Sequence, residues 1–311
     1  MSVLSQQQKF KLYRTWLLDG GRWNHFEPRE GDVVVCTYPK SGTTWMLRII
    51  SLLIFDSIDA ISLDNAFPWW EFRLGRLVEA QAEDFKKQSH RRAVKSHLPF
   101  DGIPIHDCVK YIHVGRDGRD ICLSYHNHCT GFLPHVIEKM NKIGLSDELI
   151  GRPYPPIQTD PAKFFHDWLT LPSLESERDG TPFLSYFDFE LSYWRNLNRK
   201  NLLFVHYANL IKDLVFEMQR VADFLEIKVS RERLIILAEA ASFTSMSNDG
   251  SQLVPNNARD FQGGARRLFN KGEIGRWKGI YNSADLELFE KKIRSSLPAG
   301  AAEWLLNGQW A

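Results

Sequence analysis

Residues 37–45 read TYPKSGTTW and lie between the apolar runs VVVC and MLRII. A β-branched apolar run, a tight Gly-containing loop and a second apolar run predict strand, turn and helix. That order presents the unpaired N–H groups and the positive dipole end of a helix to an anion. Gly42 permits a turn that a Cβ would obstruct, and Ser41, Gly42, Thr43 and Thr44 would line up successive N–H donors. Thr43 and Thr44 add hydroxyls, Pro39 stiffens the entrance and Lys40 brings a mobile positive charge. The nucleoside-triphosphate loop G-x-x-x-x-G-K-[ST] is nevertheless absent, and no Gly-Lys pair occurs anywhere in the chain.

The rest of the chain supplies the sheet that such a loop requires. Short apolar segments at Val33–Cys36, Ala93–Lys95, Tyr111–Val114 and Leu202–Val205 alternate with helical patterns over Met46–Phe55, Asp117–His128 and Asp213–Leu225. Alternation of this kind predicts an α/β fold: one domain over residues 1–311, with a central, mostly parallel sheet flanked by helices. Ligands of such sheets sit beyond the carboxyl ends of the strands. Asp160-Pro161 reads as the cap and first position of a helix, and Asn282 or Ser283 as the cap of another carrying Leu286, Phe289 and Ile293. From Thr130 to Pro161 and from Asn248 to Gly264 the periodicity loosens, so both stretches are expected to be loops and candidate lids.

Composition narrows the function classes. A net charge of +1 gives no global attraction to nucleic acid or to an anionic membrane. Cys36, Cys108, Cys122 and Cys129 form no C-x-x-C pair and read as free thiols. The first residues, MSVLSQQQKFKLYRTW, are polar, and the longest apolar stretch, MLRIISLLIF, is too short to span a bilayer. A reducing cytoplasm is the expected location. His126-Asn-His128 has no acidic or thiol partner arranged around it, so no metal is expected.

YPKSGTTW resembles the 5′-phosphosulfate loop of the cytosolic sulfotransferases, which use 3′-phosphoadenosine 5′-phosphosulfate (PAPS) and release 3′-phosphoadenosine 5′-phosphate (PAP). Three further segments carry the resemblance in family order. Lys95-Ser-His-Leu-Pro99 resembles the K-[ST]-H-[LT]-P segment, which makes His97 the catalytic base and places Lys95 beside it. Arg116, with Ser124 eight positions later, resembles the pair that grips the 3′-phosphate. Asn270-Lys271-Gly272 and Trp277-Lys278 resemble R-K-G-x-x-G-D-W-K, but with Asn270 for Arg and Arg276 for Asp. Asn270 brings no charge, and Arg266 or Arg267 is the expected compensation. Trp45 and Tyr207 match positions around the adenine, and the stretch with Ser242, Phe243 and Met246 resembles the cofactor-binding T-S-F-x-x-M, with Ala241 lacking the first hydroxyl. The wording VGRDGRD and the DGIP after LPF are closer to bacterial members than to mammalian ones.

The resemblance implies in-line transfer of a sulfuryl group from PAPS to a hydroxyl or amine of a small acceptor. Lys40, Lys95 and His97 would be the catalytic residues, and no metal would be required. Phe67, Trp69, Trp70 and Phe72, with Phe132, would wall a pocket for an aromatic or hydrophobic acceptor. Lys278 and Glu287 keep the spacing of the family's homodimer motif, but Asn282-Ser283 replaces its Thr-Val centre. The alternatives are a small-molecule kinase with a related phosphate loop and a non-catalytic nucleotide-binding protein.

Overall fold

Val33–Thr37 (β1) is buried at all five positions, the state of an interior parallel strand covered on both faces. In this computed structural model, which describes residues 10–175 and 177–310 (side chains of 257 and 258 excepted), β1 pairs in parallel with Ala93–Ser96 (β2) and Lys110–Gly115 (β3). The polar N-terminal reading rests in part on residues 1–9, which lie outside the described residues. Leu202–His206 (β4) pairs in parallel with β3, giving the order β2-β1-β3-β4. Each expected strand is present and runs one residue further at its carboxyl end. The chain leaves β1 for β2 on one side, then crosses to β3 on the other. The carboxyl ends of β1 and β3 therefore flank the switch point of the sheet, where ligands bind in this architecture.

Alternation along the strands feeds two cores. Val34, Cys36, Val94 and Tyr111 face one aromatic layer that includes Trp70, Trp168 and Trp304. Val33, Val35, Ile112, Val114 and Val205 face the other, against Met46, Ile49, Ile50 and Leu53 of Thr43–Phe55 (α1). Arg48 sits inside this apolar helix because its guanidinium donates to the carbonyls of Asp59 and Ile58, each at 2.7 Å. Gly118–Cys129 (α2) follows β3 and is capped by the Asp117 carboxylate, which accepts from Arg119 N at 2.9 Å. Helices also occupy Pro161–Thr170 behind the Asp160 cap and Ser283–Ser296 behind the Asn282 cap. Among the described residues no helix is long and apolar enough to cross a membrane. All four cysteines are free, with Cys108 half-buried and the others buried.

The two stretches expected to be loops are more ordered than that reading. Pro134–Ser146 (α3) is a helix with Pro at its first position, burying Val136 and Met140 against Trp16, Ile150 and Tyr154. Residues 248–264 contain the helical turns Gly250–Leu253 and Asn257–Asp260. The two stretches also join each other. Phe132 and Phe261 form an antiparallel bridge, Gln262 N donates to Gly131 O at 2.8 Å and Leu133 N to Asp260 O at 3.0 Å.

Candidate active site

The β1–α1 turn is held in unusual backbone conformations. Lys40 has φ +74° and Gly42 φ +116°. A Cβ at Gly42 would lie 2.9 Å from the Tyr207 ring, so both the dihedral and the space require glycine. Strain of this sort at Lys40 is characteristic of a functional turn. The donor set differs by one residue from the expectation. Ser41 N–H is spent on Tyr38 O at 3.2 Å, whereas the first turn of α1 leaves its N–H groups unpaired. The free donors thus begin at Gly42. Thr43 Oγ1 turns back to Thr37 Oγ1 at 2.6 Å, and Ser41 Oγ is enclosed without a partner.

His97 follows β2 and reaches across to β1. Its Nδ1 donates to Thr37 O at 2.7 Å, which leaves Nε2 as the nitrogen with a free lone pair. Its backbone N–H donates to Glu71 Oε1 at 2.6 Å, and the Trp69 ring stands edge-on to the imidazole at 4.8 Å. Glu71 is fully buried and also accepts from the Trp69 and Trp23 indoles and from Ser96. Burial raises its pKa, but these donors oppose the rise. Burial pushes His97 down to about 3, helped by Lys95 and Lys40 and opposed by the Thr37 bond. It is therefore a neutral imidazole across the physiological range, rather than one titrating near it. Lys40 is lowered to about 8, first by burial and then by Arg116. Lys95 lies 4.0 Å from Asp64 and 5.8 Å above the Trp69 ring.

Lys40, Gly42, Thr43, Thr44, Trp45, Lys95, His97, Arg116, Ser124, Tyr207, Phe243, Met246, Asn270, Lys271 and Gly272 all line one cavity of about 210 Å³. Arg116 connects its parts. Its Nη1 donates to Lys40 O at 3.0 Å and its Nη2 to Glu273 O at 3.1 Å, while the guanidinium lies 4.0 Å over the Tyr207 ring. Its Nε is enclosed with no partner, a state that fits an anionic ligand. Arg119 instead pairs with Asp117 at 2.7 Å. Trp45 Nε1 donates to Ala241 O at 2.8 Å, and its ring meets Tyr207 edge-on at 5.3 Å. Ser242 does not line the cavity; its Oγ caps the helix that carries Phe243 and Met246.

The aromatic stretch 67–72 divides three ways. Trp69 bridges Lys95 and faces the cavity, where it stacks on Phe72 at 4.7 Å. Phe67 is buried in the core under α1, and Trp70 is buried on the opposite side against Trp23, Phe26 and Phe85. Neither of these two rings lines the cavity; the turn closed by Phe72 N donating to Trp69 O at 3.4 Å brings Trp69 and Phe72 together there instead. Phe132 does line it, together with Tyr125, His128, Phe183, Phe261 and Phe269, which motif reading missed. Arg276 and Glu273 also face it. The Arg267 guanidinium does not take the place of the missing arginine at Asn270. It donates to Asn127 O at 2.7 Å and Thr130 Oγ1 at 2.8 Å, and neither it nor Arg266 lines the cavity. Asn282, in the altered dimer motif, accepts from Asp285 N at 2.8 Å as a helix cap.

The sulfotransferase-domain family matches residues 30–299. A Mycobacterium bovis glycolipid sulfotransferase is 27% identical over 310 residues, covering 96% of this chain and 94% of the relative. Human sulfotransferase 2B1 is 27% identical over 284 residues, covering 88% and 68%. In three dimensions the chain resembles mouse sulfotransferase SULT7A1 complexed with PAP, with TM-score 0.68, 23% identity and 92% of each chain covered. A retinol dehydratase in complex with androsterone and inactive cofactor PAP has TM-score 0.68 at 21% identity, covering 94% of this chain and 88% of that one.

Proposed function

The chain belongs to the sulfotransferase-domain family, and from that premise we propose that it moves a sulfuryl group from PAPS to a hydroxyl or amine of a small aromatic or hydrophobic acceptor. The observation that carries this reading is the His97 imidazole. Its Nδ1 is committed to Thr37 O, and it shares a cavity with Lys40, Lys95 and the open N-terminus of α1. PAPS supplies the sulfuryl group and leaves as PAP. The N–H groups of Gly42, Thr43 and Thr44 would hold its 5′-phosphate, while Arg116, Ser124 and Lys271 would hold its 3′-phosphate. His97 Nε2 would take the proton of the attacking hydroxyl, and the bond from Nδ1 to Thr37 O fixes the tautomer that can do so. Lys40 and Lys95 would stabilise negative charge on the group in flight and on the departing phosphate. The Mg²⁺ of nucleoside-triphosphate enzymes has its counterpart in these lysines.

Trp69, Phe72, Phe132 and Phe261 give the acceptor an aromatic enclosure. The glycolipid and androsterone named for the relatives agree with a hydrophobic alcohol. The test is incubation with PAPS and phenols, steroids and aliphatic alcohols, with mass detection of sulfated product. PAP should raise the melting temperature and ATP with Mg²⁺ should not. The reverse pattern would support a kinase, and PAP binding without turnover on any acceptor a non-catalytic nucleotide-binding protein.

A further inference from the structure

The acceptor end of the cavity is walled mostly by rings, with the Asp260 carboxylate and the Tyr125 phenol among them, and it holds one imidazole that the mechanism does not use. His128 lies in the last turn of α2, 4.5 Å from the Phe261 ring and 5.1 Å from Phe132 by centroid. It lines the same cavity as His97. Its Nδ1 is enclosed with no hydrogen-bond partner, and among the described residues its side chain forms no hydrogen bond or ion pair. A neutral imidazole has one donor and one acceptor nitrogen. With Nδ1 shut in, Nε2 is the polar atom left to meet a ligand. Placing an imidazole among aromatic rings costs stability unless something completes its hydrogen bonding. Burial, then Lys40, His97 and Lys95, hold its pKa well below the usual imidazole value, so the group it offers is a neutral donor or acceptor rather than a cation. The neighbouring His126 is spent elsewhere, its Nε2 lying 3.0 Å from Gln158 O.

We propose that His128 determines acceptor specificity by hydrogen-bonding a second oxygen or nitrogen function of the acceptor, remote from the hydroxyl that is sulfated. The cavity therefore selects ring-bearing molecules with two separated polar groups over otherwise identical molecules with one. This rests on the sulfuryl-transfer reading only for the identity of the reacting hydroxyl.

Matched pairs test it: 4,4′-dihydroxybiphenyl against 4-hydroxybiphenyl, and hydroquinone against phenol. Their Kd values are measured by calorimetry, with and without saturating PAP, on the wild type, His128→Phe and His128→Gln. At least one dihydroxy compound should bind the wild type about 3–10-fold more tightly than its partner. The preference should collapse to near unity in the Phe variant, with monophenol binding equal or tighter, and should persist in part in the Gln variant. A ratio near one in the wild type, a ratio that survives in the Phe variant, or equal weakening of both ligands in both variants overturns the proposal. Absence of binding by either pair also overturns it. A failure of sulfated product to form from PAPS tells against the sulfuryl-transfer reading alone, because the Kd ratios decide His128 without turnover.

Discussion

The loop at residues 37–45 and the segment at 268–276 both contribute to the cavity, at the end proposed to hold the nucleotide, but they are built differently. The loop grows out of a fully buried strand, its left-handed residues are fixed by sterics, and Tyr207 closes off any side chain at Gly42. The later segment is clipped on by polar contacts. The Asp120 carboxylate accepts from Gly275 N at 2.7 Å and Arg276 N at 3.1 Å, and Arg116 holds Glu273 O at 3.1 Å. A proposed phosphate site cast in the core should tolerate little change. One held by a few hydrogen bonds can lose a charge at Asn270 and gain one at Arg276 while the chain still folds around it. Two ligands separate the regions: adenosine 5′-monophosphate should engage the loop alone, and PAP both.

The largest effects belong to the loop side and to chemistry. His97→Ala should lower kcat by about 10²–10⁴-fold, as loss of a general base does, while PAP affinity stays within about threefold. Lys40→Ala should lower kcat by about 10²–10³-fold and weaken both nucleotides together. Steady-state kinetics with calorimetric Kd values check both. Near-wild-type turnover of the His97 variant removes it as the base, and a Lys40 variant that loses only PAP would erase the distinction between the regions.

The clip is next. Asp120→Ala frees Gly275 N and Arg276 N and lets the 268–276 segment drift. PAP affinity should fall by about 10-fold, on the scale of one or two charge-assisted hydrogen bonds, with adenosine 5′-monophosphate unchanged. If both ligands weaken equally, Asp120 supports α2 rather than the segment.

What was legible in the sequence follows the same division. The four strands and the loop were readable because β-branched runs and a Gly-containing turn encode local geometry directly. Helix α3 was not, because the Pro and Gly around it read as breakers while its apolar face at Val136 and Met140 is short. Weighing His126 and His128 only as a pair, and setting a metal aside, hid what each does. Residues two apart on a helix do not face each other, so one turns to Gln158 and the other into the cavity. Phe67 and Trp70 were misplaced because a run of aromatic residues does not reveal which ones the Trp69–Lys95 bridge turns inward. Arg267 looked available until its bonds to Asn127 and Thr130 were visible, and those are tertiary contacts 140 and 137 positions away.

The charge state of Lys40 should give the loop a pH signature. Its free-state pKa of about 8 is depressed by burial and Arg116, and a bound phosphate favours the charged form, so binding raises it. Affinity should then be full below pH 8 and fall by up to about tenfold per pH unit above it, for both nucleotides. Lys40→Arg, which stays charged, should flatten that limb. His97, at about 3, should add no acid limb to kcat/KM between pH 5 and 7. A limb near pH 6.5 that His97→Ala abolishes would show that the imidazole is more exposed to water than its packing implies.

The smallest effect is the one that tests the clipped segment most directly. Asn270 is exposed, so a guanidinium placed there would interact with a 3′-phosphate partly through water and would be screened by salt. Asn270→Arg should therefore tighten PAP by only about two- to fivefold at low ionic strength, and less at 0.5 M salt. Adenosine 5′-monophosphate should not respond. Arg276→Ala should weaken PAP by a somewhat larger factor if the Arg276 side chain, which lines the cavity, already provides the charge that Asn270 lacks. The double variant decides between substitution and addition. Recovery of wild-type affinity when Arg is restored at 270 and removed from 276 means the two positions exchange one charge. Two independent increments mean that Arg276 serves another group in the cavity.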